Sequence, residues 1–152
     1  MGTEAVAIDI SASPHVVWAL LADVPRMGEW SPECVKCRWL APADRAVRCA
    51  RFKGTSRKDW HRWSTTSTIV EAEPGSRLAF DVTYLRRPVA RWQYDLRTTP
   101  DGGTTVAESM QDHRGRWLRL VSPYITGSRD RSTRNASTMH TTLERLKAAA
   151  EQ

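Results

Sequence analysis

The sequence predicts an α+β fold in which one antiparallel sheet of seven strands packs against two short helices and a long C-terminal helix. Three observations lead to this prediction. The N-terminal segment alternates apolar and polar residues and runs directly into a short apolar helix. The middle of the chain divides into strand-like segments at turn sequences, and the last segment carries apolar residues at helical spacing. With 152 residues, of which 40% are hydrophobic and 26% charged, the chain is expected to form a single domain over residues 1–152.

The first predicted elements are a strand and two short helices. The strand covers residues 4–10, where every second residue is apolar. Ser13 is the expected N-cap of the first helix and Pro14 its first residue, because a serine hydroxyl satisfies a free backbone N–H and proline has no N–H to satisfy. This helix is expected to end before Pro25, and a second short helix or turn covers residues 26–30.

Six further strands are predicted between Cys34 and His113. Their expected bounds are residues 35–40, 47–54, 60–71, 77–84, 89–98 and 104–113. The segments between them are rich in proline, glycine and aspartate, which favour tight turns. Short turns between successive strands indicate an antiparallel meander, and the first strand brings the sheet to seven.

A long C-terminal helix is predicted from Gly127 or Ser128 to Ala150. Its apolar residues recur at intervals of three and four along one stripe: Ala136, Met139, Leu143, Leu146 and Ala150. Nearer the start of the helix the same stripe is polar: Arg129, Ser132 and Thr133. We therefore expect the second half of the helix to pack on the sheet and the first half to border a cavity.

The net charge of +6, from 23 basic and 17 acidic side chains, bears on possible partners. Basic residues are concentrated in segments 45–62 and 114–134. Such residues usually form a solvated face; the alternative is a surface for an acidic partner, such as an acyl carrier protein or an anionic lipid headgroup. Nucleic acid is disfavoured, because no recognition helix or RNA-binding signature accompanies the charge.

The N-terminus and the cysteine count bear on the compartment. No apolar run is long enough to span a membrane, and the first ten residues carry acids without the basic segment that begins a signal peptide. The three cysteines, an odd number, are interpreted as free thiols. We therefore expect a cytoplasmic protein, and the sequence leaves monomer and homodimer open.

Cys34 and Cys37 have the spacing of half a zinc site, but the sequence contains no second pair. They fall in a predicted strand, where residues three apart point to opposite faces. A thioredoxin-type dithiol needs a helix N-terminus, and no helix is predicted after them. No metal site is predicted.

Five segments carry a resemblance to the START-like, or SRPBCC, superfamily, which is Bet v 1-like. Residues 6–24 and 28–33 resemble its first strand, first helix and the segment that follows. Residues 70–80 are similar to its mid-sheet hairpin and residues 103–109 to its last strand. Arg134, Asn135 and residues 139–147 are similar to its closing helix. The segments cover nearly the whole chain in the same order, and the nearest branch is the bacterial polyketide cyclase/dehydrase and lipid-transport type.

The resemblance implies a helix-grip fold with a deep apolar cavity between the sheet and the long helix. It leaves the function open, because this superfamily includes cyclases, lipid carriers, hydrolases and proteins without known chemistry. The sequence lacks the iron and iron–sulfur ligand sets of the ring-hydroxylating oxygenase branch. No cofactor is predicted.

Alternation along the last three strands selects the residues that face the cavity. The expected concave faces are Leu78, Phe80, Val82 and Tyr84; Ala90, Trp92, Tyr94 and Leu96; and Val106, Glu108, Met110 and Asp112. Among them, Tyr84, Trp92 and Met110 are candidate ligand-binding residues and Tyr94 is a candidate catalytic residue. The alternative is that the aromatic residues only fill the core.

Glu108 is the sharpest catalytic candidate, because a carboxylate between apolar neighbours needs a partner or its pKa rises. It is a candidate general acid/base or an anchor for a ligand hydroxyl, paired with Arg91, Arg129 or Arg134. The alternative, which the resemblance favours, is a structural ion pair between sheet and helix.

Four more residues enter as candidates. His140, at the edge of the helix stripe, is a titratable group, although a lone histidine without a nucleophile is commonly structural. Arg129 is a candidate ligand-binding residue on the helix. The resemblance to cyclases, which orient a poly-ketone with Arg, Tyr and Trp side chains, adds Arg51 and Trp63. Which side of the third and fourth strands faces inward stays open, since a bulge would invert the register.

We interpret the chain as binding a flat, largely apolar small molecule, such as a polyketide or other aromatic metabolite. If it is an enzyme, the expected reaction is cyclisation or dehydration by positioning and acid–base help, without metal or cofactor. The alternatives are a non-catalytic carrier of lipid or another hydrophobic ligand, and a partner-binding module with a vestigial cavity. A titratable pair in the cavity favours the enzyme, an all-apolar cavity the carrier and a collapsed cavity the module.

Overall fold

The computed structural model describes residues 3–32, 34–58, 60–115, 120 and 131–152. Within these residues the strands are β1 Thr3–Ile10, β2 Cys34–Trp39, β3 Arg51–Lys58, β4 His61–Glu73, β5 Arg77–Tyr84, β6 Arg87–Thr98 and β7 Thr104–Asp112. The helices are α1 Pro14–Ala22, a short 3₁₀ helix Val24–Glu29 and α2 Arg131–Ala150. The predicted α+β fold, with seven antiparallel strands, two short helices and a long C-terminal helix, is confirmed.

The start of the chain forms largely as predicted. The hydroxyl of Ser13 accepts a hydrogen bond from the backbone N–H of Val16 at 3.4 Å, and α1 begins at Pro14. The second helix begins at Val24, two residues earlier than predicted, so that Pro25 lies in its first turn. A proline is tolerated there because the first turn has no partner for its N–H. Pro25 therefore lies inside the second helix, and α1 already ends at Ala22.

The strands form one sheet in the order β1-β7-β6-β5-β4-β3-β2, and every neighbouring pair is antiparallel. From β2 to β7 each strand pairs with the next one in the chain, which is the predicted meander. β1 pairs with β7, with Ile10 opposite Thr104 and Thr3 opposite Gln111. β1 and β2 are therefore the two edges of the sheet.

The third strand begins at Arg51, so the predicted start at residue 47 is wrong. Cys49 has a φ of 74°, and the backbone N–H of Ala50 donates to the carbonyl of Val47 at 3.0 Å. A residue in the left-handed region turns the chain out of the extended conformation. Residues 47–50 therefore form a turn, and the strand starts after it.

The prediction that Cys34 and Cys37 point to opposite faces is also wrong. Cys34 lies opposite Ser56 and Lys36 lies opposite Thr55, so that Val35 is an extra residue in β2. Such a bulge shifts the alternation of side chains by one position. The two sulfur atoms consequently lie on one side of the strand, 3.0 Å apart.

α2 packs on the sheet through its second half, where Met139, Leu143 and Leu146 are fully buried and Thr142 is 3% exposed. Ala136, predicted on the same stripe, is exposed, so the buried stripe begins one turn later. All three polar residues predicted on this stripe lie outside the described side chains: Arg129, Ser132 and Thr133. Neither α2 nor any other helix in the described residues has an apolar stretch long enough to span a membrane.

The main core joins both short helices, the sheet and α2. Its largest members include Ile10, Val17, Leu21, Val24, Trp30, Phe52, Leu78, Phe80, Val106, Leu143 and Leu146. The ring of Phe52 contacts the rings of Trp39 and Phe80 edge to face, with centroids 5.7 and 5.2 Å away. A smaller cluster of Ala90, Met110 and Met139 lies beside the main core.

The substitution Leu143→Ala is expected to destabilise the fold by about 2–5 kcal/mol, because it removes a fully buried side chain and leaves a cavity. The matched control is Glu144→Ala on the exposed side of the same helix, where the ion pair with His140 is expected to contribute less than about 1 kcal/mol. Urea unfolding of both variants measures the difference. Equal destabilisation would contradict the packing of α2 described above.

Candidate functional site

A cavity of about 160 Å³ lies between the concave face of the sheet, the 3₁₀ helix and α2. Part of its wall is apolar and aromatic: Phe52, Trp63, Phe80, Val82, Val89 and Trp92. Another part is polar: Ser56, Thr65, Ser67, Tyr94, Glu108, Thr138 and Thr142. The cavity is therefore neither collapsed nor uniformly apolar.

A second recess, of about 540 Å³, lies on the surface beside α1 and the segment between β2 and β3. Trp18 and Trp39 line it together with Asp23 and Asp44. None of the predicted site residues that the structure describes belongs to its wall. We therefore place the candidate site in the smaller cavity between the sheet and α2.

Tyr94 and Glu108 form the polar centre of this cavity wall. They lie directly opposite each other on β6 and β7, so the pleat points both side chains to the concave face. The Tyr94 hydroxyl donates a hydrogen bond to Oε2 of Glu108 at 2.8 Å. Both residues are buried, and Oε1 of Glu108 has no hydrogen-bond partner among the described residues.

Burial raises the pKa of Glu108 to about 8, and the hydrogen bond from Tyr94 lowers it only in part. The cause is the loss of water around the charged form, which the apolar surroundings do not replace. Burial, with the nearby carboxyl group, also raises the pKa of Tyr94 well above its usual value. At neutral pH Glu108 is therefore mostly a neutral acid. With Oε2 already accepting from Tyr94, a proton on Oε1 is left for a ligand oxygen.

The predicted pairing of Glu108 with Arg91 does not form. Arg91 is three residues from Tyr94 on β6, so its side chain points to the other face of the sheet. There it donates to the Asp81 carboxylate at 2.6 and 2.9 Å. Arg129 lies outside the described residues, as does the side chain of Arg134. Among the described side chains, Glu108 has no salt-bridge partner, so the structural ion pair between sheet and helix has no support there.

Four of the predicted site residues line the cavity: Trp63, Trp92, Tyr94 and Glu108. β3 and β4 pair without a bulge, which fixes the register that the sequence left open. Phe52 and Gly54 of β3 and Trp63 and Thr65 of β4 face inward. The roles of the four residues in binding or catalysis stay predictions.

Four other candidates lie elsewhere. Arg51 is exposed, because its neighbour Phe52 takes the inward position. Tyr84 follows the bulge between β5 and β6 after Val82, and is half-buried outside the cavity wall. Met110 is buried in the smaller core cluster. His140 is exposed on α2, where its Nε2 atom lies 3.0 Å from Glu144. Arg129 lies outside the described residues, so its predicted contact has no geometry here.

Polar residues of α2 and β4 that were not among the predicted site residues also line the cavity. Thr138 and Thr142 are four residues apart on the helix, in line with the buried Leu146. Ser67 follows Trp63 and Thr65 at every second position of β4. Both patterns are visible in the sequence once a single inward residue of each element is known. Within the described residues, no group of three or more His, Cys, Asp or Glu side chains could hold a metal ion.

A curved antiparallel sheet that grips a C-terminal helix around a cavity defines a helix-grip protein. Residues 1–151 match the protein family described as polyketide cyclase / dehydrase and lipid transport. The chain belongs to this family, and the predicted START-like, SRPBCC-type identity is confirmed. A comparison with curated proteins finds no significant match.

Solved structures share this fold at low sequence identity. The di-domain ARO/CYC protein BexL of the BE-7585A biosynthetic pathway has a TM-score of 0.76 at 19% identity, over 99% of this chain and 50% of that chain. Ginseng major latex-like protein 151 from Panax ginseng has a TM-score of 0.74 at 10% identity, over 99% and 98% of the two chains. DR_A0006 from Deinococcus radiodurans has a TM-score of 0.69 at 16% identity, over 99% and 98%. At these identities the likeness establishes the fold alone.

The substitution Glu108→Gln is expected to change how the free energy of unfolding depends on pH. The folded-state pKa of about 8 lies above the ordinary value of 4.5, so the folded protein holds a proton that the unfolded chain releases. The stability linked to this proton is fully present below pH 4.5 and is lost as the pH rises through about 8. Between these values the wild type should lose on the order of 1 kcal/mol per pH unit relative to the variant. Chemical denaturation across this range measures it, with the exposed Glu144→Gln as control, and parallel curves for all three proteins would contradict the burial of an unpaired acid.

The substitution Tyr94→Phe is expected to raise the pKa of Glu108 further, because the lost hydrogen bond stabilises the carboxylate more than the neutral acid. An NMR titration of the carboxyl carbon of Glu108 measures the change. Tyr84→Phe, outside the cavity wall, is the matched control and should leave that titration in place. A pKa of Glu108 that is unchanged or lower in Tyr94→Phe would contradict the hydrogen bond.

Proposed function

We propose that the protein is an enzyme that promotes cyclisation or dehydration of a polyketide or a related aromatic precursor, with Glu108 as general acid and base. The observation that carries the proposal is the buried Tyr94–Glu108 pair in the cavity wall. A group with a pKa near the working pH exchanges protons most effectively in both directions. The pKa of about 8 gives Glu108 this property without a cationic partner among the described residues.

The chemistry follows from the two protonation states of Glu108. The carboxylate takes a proton from the carbon between two ketones, and that carbon then bonds to a third carbonyl carbon. The acid so formed returns its proton to the new alkoxide oxygen, which completes the cyclisation. In a dehydration the acid protonates the leaving hydroxyl, which departs as water, and the carboxylate so formed takes a proton from the neighbouring carbon as the carbon–carbon double bond forms. Tyr94 is a positioning residue in this scheme, because it holds the carboxyl group through Oε2 and leaves Oε1 for the substrate.

The walls of the cavity favour a flat, largely apolar substrate. Trp63, Phe80 and Trp92 offer aromatic surfaces, and the hydroxyls of Thr138 and Thr142 lie on the helix side. The volume of about 160 Å³ is close to that of cavities that bind one benzene ring. We therefore propose that the end of the substrate where the ring forms enters the cavity.

The same features disfavour the two alternatives. A carrier of lipid or another hydrophobic ligand needs no titratable pair, and a volume of about 160 Å³ holds little of an acyl chain. A partner-binding module with a vestigial cavity needs neither the open volume nor the stability cost of an unpaired buried acid. Both alternatives remain outcomes of the tests below.

We further propose an acidic carrier protein as the partner that delivers the substrate. The support is the net charge of +6 and the exposed basic side chains of the β3–β4 hairpin, where Arg57 lies opposite Arg62. We also propose that the protein is cytoplasmic and is a monomer or a homodimer. The odd number of cysteines supports the cytoplasmic location and does not bear on the oligomeric state.

Native mass spectrometry of protein purified from its source, with a denatured control, identifies any bound molecule. A co-purified polyketide or aromatic compound that denaturation releases supports the proposed substrate class. A co-purified lipid supports the carrier instead. Protein without a bound molecule speaks against carriage of an abundant lipid and directs the search to a scarce substrate.

Turnover of a synthetic poly-β-ketone thioester tests the role of Glu108. The substitution Glu108→Gln should lower kcat by about 10²- to 10⁴-fold, because an amide neither takes nor gives the proton. Binding, measured by quenching of tryptophan fluorescence, should change little, since Trp63 and Trp92 stay in place. Glu144→Gln, with the same change on the exposed face of α2, should keep full activity. If the wild type binds the thioester without any turnover, the proposed enzyme is contradicted and the carrier alternative is supported.

A further inference from the structure

We propose that Cys34 and Cys37 form a reversible dithiol–disulfide pair in the wall of the cavity, oxidised by hydrogen peroxide and restored by a small thiol. This inference goes beyond the proposed function and does not depend on Glu108. It rests on where the bulge in β2 places the two sulfur atoms and on their access from the cavity.

The bulge at Val35 gives the pair its geometry. In a regular strand the side chains of residues three apart diverge, whereas here the two sulfur atoms are 3.0 Å apart. A disulfide bond is about 2.05 Å long, so the sulfur atoms need to approach by roughly 1 Å. Side-chain rotation supplies a movement of this size with little change in the backbone.

The cavity gives a small oxidant access to the pair. Cys34 and Cys37 both line it, and Cys34 is only partly buried. Gly54 lies opposite Cys37 on β3, and a Cβ atom at this glycine would be 3.5 Å from the Cys37 sulfur. Because Gly54 has no side chain, the Cys37 sulfur has open space on that side. Cys49 is exposed, in the turn before β3, and serves as an internal reference.

A metal site is the competing use of two nearby cysteines, and the number of available ligands disfavours it. Thiolates bound to one tetrahedral zinc ion are about 3.8 Å apart, from bonds of about 2.3 Å. The observed 3.0 Å lies between this separation and the length of a disulfide, so the ligand count decides between the two uses. Among the described residues no third His, Cys, Asp or Glu joins the pair into a group that could hold a metal.

The two thiols differ in a way that assigns their roles. The hydrogen bond with Cys37 lowers the pKa of Cys34, while that contact and burial raise the pKa of Cys37. Cys34 is also only partly buried, whereas Cys37 is buried, so Cys34 is the thiolate that meets peroxide. Its sulfur bonds to one oxygen, the O–O bond breaks, and hydroxide leaves as water after protonation. The Cys37 sulfur then attacks the Cys34 sulfenic acid, loses its proton and expels the second water. Two thiols and one peroxide thus give one disulfide and two waters, and two molecules of a small thiol reverse the change by forming their own disulfide.

Trypsin provides a direct test, because it cleaves after Lys36, between the two cysteines. The full-length protein is treated with hydrogen peroxide, its remaining thiols are alkylated in denaturant, and the digest is analysed by mass spectrometry. Peptides 27–36 and 37–38 should be detected as one linked species, whose mass is that of the two peptides minus two hydrogens. Addition of dithiothreitol should separate them. Alkylation of the intact chain should fall from three thiols to one, with the remaining group on Cys49.

The variants separate this pair from general thiol oxidation. Cys49→Ser should keep the linked peptides, whereas Cys34→Ser and Cys37→Ser should lose them. If a serine variant does not fold, the peptide map of the wild type decides alone. Three alkylated thiols after treatment, cross-links that run through Cys49, or sulfinic acid without a disulfide would each overturn the proposal. None of these outcomes bears on turnover by Glu108, so the two proposals fail separately.

Discussion

A single helix is too narrow to cover the concave face of a seven-stranded sheet. Neighbouring strands lie about 4.8 Å apart, so the sheet is about 29 Å wide, whereas a helix with its side chains is about 10–12 Å across. α2 packs mainly against β1 and β7, and the 3₁₀ helix packs beside β2. The middle of the concave face is left between them. The cavity is therefore a consequence of the architecture and not a local defect of packing.

The gap explains why burial raises the pKa of an acid on the sheet. Glu108 is 2% exposed and faces no described cation, so the hydroxyl of Tyr94 is its hydrogen-bond partner among the described residues. The burial that brings the pKa of Glu108 near neutrality also makes the folded state less stable as the acid ionises. Stability and proton exchange are thus linked through one carboxyl group. A neutral residue of the same shape would improve the first and abolish the second.

The sequence predicted the order of the elements and, apart from Tyr84 beyond the bulge between β5 and β6, the inward faces of β5, β6 and β7, because these depend on local periodicity. Tyr94 and Glu108 were both expected on the concave side, but their hydrogen bond depends on the register between β6 and β7. Arg51 was predicted at the cavity and is exposed, because Phe52 takes the inward position of β3, a choice of face that the sequence left open.

Irregular backbone accounts for most of the remaining differences. Regular alternation would place Cys34 and Cys37 on opposite faces of β2, but the bulge at Val35 brings them together. No pattern of side chains in the sequence predicts this bulge. Thr138 and Thr142 lie on the helix side of the cavity in a polar stretch that a hydrophobic stripe does not mark. Periodicity therefore predicts the regular parts of the walls, including Tyr94 and Glu108, while the approach of the two cysteines arises where the period breaks.

The pairing of β1 with β7 determines when the sheet can be completed during synthesis. Ile10 pairs with Thr104, and the backbone N–H of Ser11 donates to the Glu151 carboxylate at 2.7 Å, directly after the end of α2. A ribosome that delivers residues from the N-terminus therefore releases β1 long before the strand that it joins. Contacts of such long range are formed slowly, because the intervening chain must be ordered first. The meander from β2 to β7 can assemble hairpin by hairpin, whereas β1 waits until β7 has been made.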